Sequence, residues 1–230
     1  MNAAGFVAGL REGLGRVLVA RAFVVALLAC GLAALVAVAE KRAAPFGAAG
    51  RALEDRVFGL ILPIALAWIS TRVLDKARLD TSTAPLARFG LSRRAVGLGL
   101  IGASAAVGAV LASAAAALTA LLAHDPTAPA IAFDAWTSAW IAALGATAYA
   151  SLFALGATFG AKGGGRYFAL AFDFVAGSTG GAAALLAPRA HARNLLGGEP
   201  PLFLAQPASA ALLAALAIAF TAIALARTPR

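Results

Sequence analysis

The sequence predicts an all-α integral membrane protein, a six-helix transmembrane bundle preceded by a helix lying in the membrane surface. Three observations carry this expectation. The 230 residues are 62% hydrophobic and only 13% charged, with mean hydropathy +0.88, whereas soluble domains average roughly 45–50% apolar and about 25% charged residues. Apolar runs of near-spanning length recur six times. The Lys and Arg residues stand between those runs as punctuation. Residues 1–21 are therefore read as an interfacial helix and 22–226 as a single six-span domain, with a cytoplasmic loop over 72–94 and an external loop over 188–206.

A hydrocarbon core about 30 Å thick takes roughly 20 apolar residues as helix. The candidate spans are 22–39, 57–71, 95–123, 135–161, 167–187 and 207–226. The second is short and holds Pro63, so it is either kinked or extended past Arg72 through Val73 and Leu74. The third is long enough to tilt or to project beyond the bilayer. Ahead of the spans, Phe6, Val7, Leu10, Leu14, Val17 and Leu18 fall near one helical face, with Arg11, Glu12 and Arg16 away from it. That pattern suits a helix in the membrane surface, although Gly13 and Gly15 weaken it. Leu27-Leu28-Ala29-Cys30 loosely resembles a lipoprotein cleavage site, and Ala37-Val38-Ala39 a signal-peptidase site. The chain stays apolar after Cys30, and the run is long for a signal peptide, so an uncleaved span is expected.

Orientation follows from charge. The 72–94 loop carries Arg72, Lys76, Arg78, Arg88, Arg93 and Arg94 against Asp75 and Asp80, and short basic loops are retained on the cytoplasmic side. With both termini inside, thirteen Lys and Arg residues are cytoplasmic and six are external (Lys41, Arg42, Arg51, Arg56, Arg189 and Arg193). The turn over 127–134 has no basic residue, as an external loop should. Trp68, Trp136 and Tyr167 sit near span ends, where interfacial aromatic belts form. The formal charge of +9 is explained by topology, so no nucleic-acid partner is expected. The excess of Ala, Gly and Arg fits a GC-rich bacterial gene, and the expected location is the bacterial cytoplasmic (inner) membrane.

Few residues carry chemistry. Asp173 is the one ionisable group well inside a predicted span, and such residues mark functional sites by default. It lies about 10 Å along a helix from Arg166. The readings are pairing with Lys162 or Arg166, a place in a substrate path, or proton coupling. Gly163-Gly164-Gly165 lacks the glycine spacing and the Lys-Ser/Thr of a nucleotide P-loop. His124 and His191 fall in external loops without a second ligand at metal-binding spacing. Gly177-Ser178-Thr179-Gly180 has no intramembrane histidine to act as a base. The lone cysteine, Cys30, excludes an internal disulfide. No catalytic, cofactor or metal site is expected.

Small residues are abundant. Ser104, Gly108, Ala112, Ala116 and Ala120 form a stripe on the third span, and Gly156/Gly160 and Gly177/Gly181 are GxxxG pairs. They serve either a dimer interface or ordinary packing inside the bundle. In the external segment, Pro188 can open a helix that Gly197-Gly198 ends, with Leu202-Phe203-Leu204 as an apolar patch. A partly buried hairpin and a solvated loop with one anchor are both consistent with that pattern.

The loop Asp80-Thr81-Ser82-Thr83-Ala84-Pro85-Leu86, followed by Leu91-Ser92-Arg93-Arg94-Ala95, sits in a six-span frame with a preceding surface helix. In this the chain resembles the permease subunits of type-2 ABC exporters, although Gly90 stands where that family often has proline. The resemblance implies a separate cytoplasmic ABC ATPase that hydrolyses ATP and a second permease chain, identical or not. It also implies that the 72–94 loop is the coupling element. Leu74, Leu79, Leu86, Phe89 and Leu91 would anchor such a lever against the membrane, while Arg78, Arg88, Arg93 and Arg94 face the ATPase or lipid phosphates. The same arginines also serve if they only enforce topology. Against this reading stand a stand-alone secondary transporter, a membrane enzyme, and a membrane scaffold or assembly factor.

Overall fold

The computed structural model describes residues 3–18, 21–125 and 130–229. Arg230 and part of the 127–134 turn lie outside them. All regular structure among the described residues is helical. The helices are α1 (Ala3–Leu18), α2 (Arg21–Ala43), α3 (Ala48–Arg51), α4 (Leu62–Val73), α5 (Leu79–Ala87), α6 (Arg93–Ala123), α7 (Ile131–Gly156), α8 (Gly165–Ala176), α9 (Pro188–Leu195) and α10 (Gln206–Ala226). Four stretches, Phe23–Ala43, Arg93–Ala123, Ile131–Gly156 and Gln206–Ala226, are long and apolar enough to cross a membrane.

The packing inverts the rule of a soluble protein. On α2 the buried positions are Ala29, Ala33 and Ala37, while Phe23, Leu27, Leu28 and Leu35 point outward. Val110, Phe168, Val175 and Ile218 are likewise exposed on other helices. Lipid gives no hydrophobic drive for helix association, so small residues turn inward to let backbones approach and large ones meet the acyl chains. An apolar exterior of this extent would be an aggregation surface in water.

The centre of the bundle is the antiparallel pair α6–α7. Ser113 Oγ donates to Ala139 O at 2.9 Å, and a Cβ on Gly108 would meet Ala146 Cβ at 3.7 Å. The whole small-residue stripe of α6, from Ser104 to Ala120, is buried within the chain, so ordinary packing accounts for it. The expected GxxxG pairs on α7 and α8 do not form helix faces. α7 stops at Gly156 and α8 at Ala176, placing Gly160, Gly177 and Gly181 in turns.

Two expected spans differ in extent. The second becomes a continuous helical run from Ala48 to Val73, in which α3 passes through a π-helical stretch (Ala52–Ile61) into α4. Pro63 has no N–H and its ring crowds the preceding turn. The wider hydrogen bonding just upstream, with Leu62 N–H reaching Val57 O, relieves that crowding. The fifth expected span is a helix of 12 residues, about 18 Å, which is too short to cross alone. A Gly-rich turn and a 3-10 segment (Ala182–Leu186) follow it before α9.

α1 packs alongside the first third of α6. Its buried positions are Gly5, Gly9, Gly13 and Val17, while Val7 and Leu18 are exposed. A Cβ on Gly9 would overlap Val96 O, and one on Gly99 would overlap Phe6 O. The face toward the protein is thus a glycine stripe, and Gly13, which weakened the surface-helix reading, is part of the contact. At 31 residues, or about 46 Å, α6 is longer than a bilayer core, and α1 and α5 flank its first turns. Replacing Gly9 or Gly99 with Leu is expected to cost about 1–3 kcal/mol by overpacking. Gly15→Ala, facing open space, should be neutral or stabilising by up to about 1 kcal/mol. Thermal unfolding followed by tryptophan fluorescence separates them, and equal midpoints for all three would contradict the close crossing.

Candidate functional site

The 72–94 loop is ordered by its own side chains. α4 ends at Val73 and the chain reverses through Asp75 and Lys76, both at positive φ (49° and 54°), with Lys76 N–H bonded to Thr71 O at 2.9 Å. Arg78 precedes α5 in extended conformation and its Nε lies 3.3 Å from Asp80 Oδ1. An acid in the first turn complements the helix dipole. Ser82 Oγ donates toward Leu74 O at 2.6 Å and Arg78 O at 3.0 Å, and Thr83 Oγ1 donates to Asp80 O at 2.8 Å. These bonds tie α5 back onto the end of α4.

α5 is seated on the bundle through Leu79 and Thr83, both fully buried. Leu79 N–H points to Ala157 O at 3.4 Å, and Leu79, Thr83 and Leu225 surround Gly97 of α6. The helix therefore packs on the start of α6 and is bonded to the residue after α7, with Leu225 of α10 beside the same glycine. Of the expected anchors, Leu74 and Leu79 are buried and Leu86 and Leu91 pack at the core edge. Phe89 does not pack on the protein: it is 83% exposed, beside Gly90 at φ 80°. Arg78, Arg88 and Arg94 are exposed and Arg93 is half-buried. Among the described residues, Arg88, Arg93 and Arg94 form no ion pair.

Arg166, which the sequence offered only as a partner for Asp173, joins this loop to the α7–α8 turn. Its Nε donates to Gly163 O at 2.9 Å and its Nη2 donates to Ala77 O. Asp173 has other partners. Tyr149 Oη donates to its Oδ2 at 2.5 Å and Arg189 N–H to its Oδ1 at 3.1 Å. The expected pairing with Lys162 or Arg166 is not formed, because those residues sit at the opposite end of α8. Ala187, at the N-cap position of α9, has no side chain to satisfy the first-turn N–H groups. The Asp173 carboxyl, arriving from α8, supplies that cap at the positive end of the α9 dipole. The Arg189 guanidinium lies over the Phe174 ring, 5.6 Å from its centre. A buried tyrosine hydroxyl needs a partner, and that was the available signal for Tyr149.

α9 itself resolves the external segment. Pro188, Ala190, His191, Ala192 and Asn194 are buried against α7 and α10, so the segment is a packed hairpin. His191 Nε2 lies 3.0 Å from Leu185 O, which can only accept, so that nitrogen carries the proton. Nδ1 then accepts from Ser209 Oγ at 3.1 Å, and Ser209 accepts in turn from Asn194 Nδ2 at 2.8 Å. Among the described residues, no three His, Cys, Asp or Glu side chains gather to hold a metal.

No protein-family model, curated protein or solved structure matches this chain.

Tyr149→Phe removes a donor from a buried carboxyl and should cost about 1–3 kcal/mol in thermal unfolding. Unchanged stability would show that Asp173 does not depend on it.

Proposed function

We propose that this chain is the transmembrane permease subunit of an ATP-driven exporter, working with a separate cytoplasmic ABC ATPase and a second permease chain. The observation that carries the proposal is the seating of α5. A short helix with a buried root (Leu79, Thr83) and an exposed cation just after it (Arg88) packs on the start of α6, where Arg94 is also exposed, and is bonded to the residue that follows α7. A displacement applied to such a helix is delivered to more than one span at once, which a floppy loop cannot do. Alternating access needs a bistable packing that nucleotide binding can bias, and this lever gives a partner its handle.

On this reading there are six passes. The four long apolar helices supply four and the Ala48–Val73 run supplies another. The last is α8 completed by the α9 hairpin. Both termini then face the cytoplasm of a bacterial inner membrane, and α1 lies where the first turns of α6 leave the hydrocarbon. The chain does no ATP chemistry of its own. Its arginines would meet acidic residues of the ATPase, with Phe89 entering an apolar recess between them.

The test is co-purification of a candidate ABC ATPase from the same genome with wild-type protein and with Arg88→Glu/Arg94→Glu. Association and stimulated ATP turnover should fall by about tenfold or more, as charge reversal at an interface produces, while the amount of chain in the membrane stays the same. Unchanged association and turnover would overturn the coupling role.

A further inference from the structure

Next to the α5 lever, the turn after α4 and the turn before α8 enclose a cavity of about 560 Å³. Four cations line it (Arg72, Lys76, Lys162 and Arg166) together with the rings of Trp68 and Tyr167, and no carboxylate does. Lys76 and Lys162 are held at the rim by left-handed backbone, at φ 54° and 52°. Arg72 lies over Trp68, 5.7 Å from the ring centre. Arg166 is 1% exposed, and with Nε and Nη2 committed to carbonyls its Nη1 has no partner. A buried guanidinium nitrogen without an acceptor is unfavourable. Topology does not call for it either, because charges that only hold a loop inside the cell can remain in water. An anion in the cavity would offset the four charges around it, the buried Arg166 among them.

Trp68 belongs to a second cavity as well. This is an apolar groove of about 300 Å³ between α2 and α4, lined by Val25, Leu28, Leu32, Leu60 and Ile64. It runs from Val25 and Trp68 to Leu32 and Leu60, about 11 Å at 1.5 Å per residue. A ligand filling both spaces has an anionic phosphate at one end and an alkyl chain at the other. We propose that this chain binds one anionic phospholipid, with its phosphate among Arg166, Arg72, Lys76 and Lys162 and an acyl chain in the α2–α4 groove. Trp68 marks the junction, at the headgroup level where indole rings settle. Basic pockets between helices on the cytoplasmic side select anionic headgroups in this manner. That the basic pocket and the apolar groove share Trp68 is what favours a lipid over a soluble anion. The site rests on the membrane reading of the chain and not on any ATPase.

The experiment uses the purified protein in nanodiscs of phosphatidylcholine mixed with phosphatidylglycerol, followed by native mass spectrometry of the retained lipid. Wild type should retain one phosphatidylglycerol in preference to phosphatidylcholine. Lys76→Glu/Lys162→Glu, at two exposed positions, should reduce that retention by about tenfold or more. Leu28→Trp/Ile64→Trp, which fills the groove without touching a charge, should also reduce it. Equal retention of the two lipids by wild type, or undiminished phosphatidylglycerol in the charge-reversal variant, overturns the proposal. Displacement by inorganic phosphate, with the groove-filled variant unaffected, overturns the lipid in favour of a soluble anion.

Discussion

Where α1 meets α6 the two backbones come so close that the glycines at 9 and 99 have no room for a methyl group. The same constraint recurs as alanine on α2 and as the buried stripe of α6. In a lipid environment helices gain little from hiding apolar surface, because the acyl chains are as apolar as leucine. What holds them is dispersion between closely apposed surfaces, and that contact strengthens only as the backbones approach. On α2, where the alanines are committed inward, Phe23, Leu27, Leu28 and Leu35 are left to face out. The exposed Phe, Leu and Val girdle is thus a consequence of the packing rather than a separate feature.

A bundle held by small contacts is vulnerable wherever a helix is interrupted, and α8 is interrupted after 12 residues. Two polar side chains secure it at opposite ends. Arg166 donates to the carbonyls of Gly163 and Ala77, binding the start of α8 to the turn after α4. Asp173 accepts from Tyr149 and from the first turn of α9, binding its far part to α7 and to the hairpin. Arg166 meets backbone alone, which stays in place whichever rotamers its neighbours adopt, and Asp173 meets one side chain and one backbone N–H. Breaking either would leave unpaired donors or acceptors away from water, where they are most unfavourable.

The sequence was legible where length and apolarity alone decide. The helices α2, α6, α7 and α10 lie within a few residues of the expected spans, and a helix does occupy the 72–94 loop. It was less legible where glycine decides. In α1 the periodicity of Phe6, Leu10 and Leu14 marked an apolar face, but the closer contact is made by Gly5, Gly9 and Gly13, which carry no hydrophobic signal at all. The ends of α7 and α8 were hidden for a related reason. Alanine and glycine keep hydropathy high through a turn, so 157–161 and 177–187 read as membrane although their backbone is not α-helical. The partner of Asp173 was hidden because spacing along one helix ranks only nearby charges. Its actual partners come from 24 residues before it and 16 residues after it.

The cations at the α5 end of the molecule divide by burial rather than by sequence. Arg88, just after α5, and Arg94, in the first turn of α6, are exposed, and their job, whatever partner they meet, requires only charge and reach. Arg166 is enclosed, two of its nitrogens hold a turn together, and its side chain borders a cavity ringed by further cations. Four like charges around one space repel one another, and a fold keeps such an arrangement at a cost in stability unless an anion is usually there to offset it. A headgroup in that space would join the start of α8 to the end of α4. The lipid would then act as a structural member at the root of the lever, and the leaflet's composition would set how stiffly the loop is held.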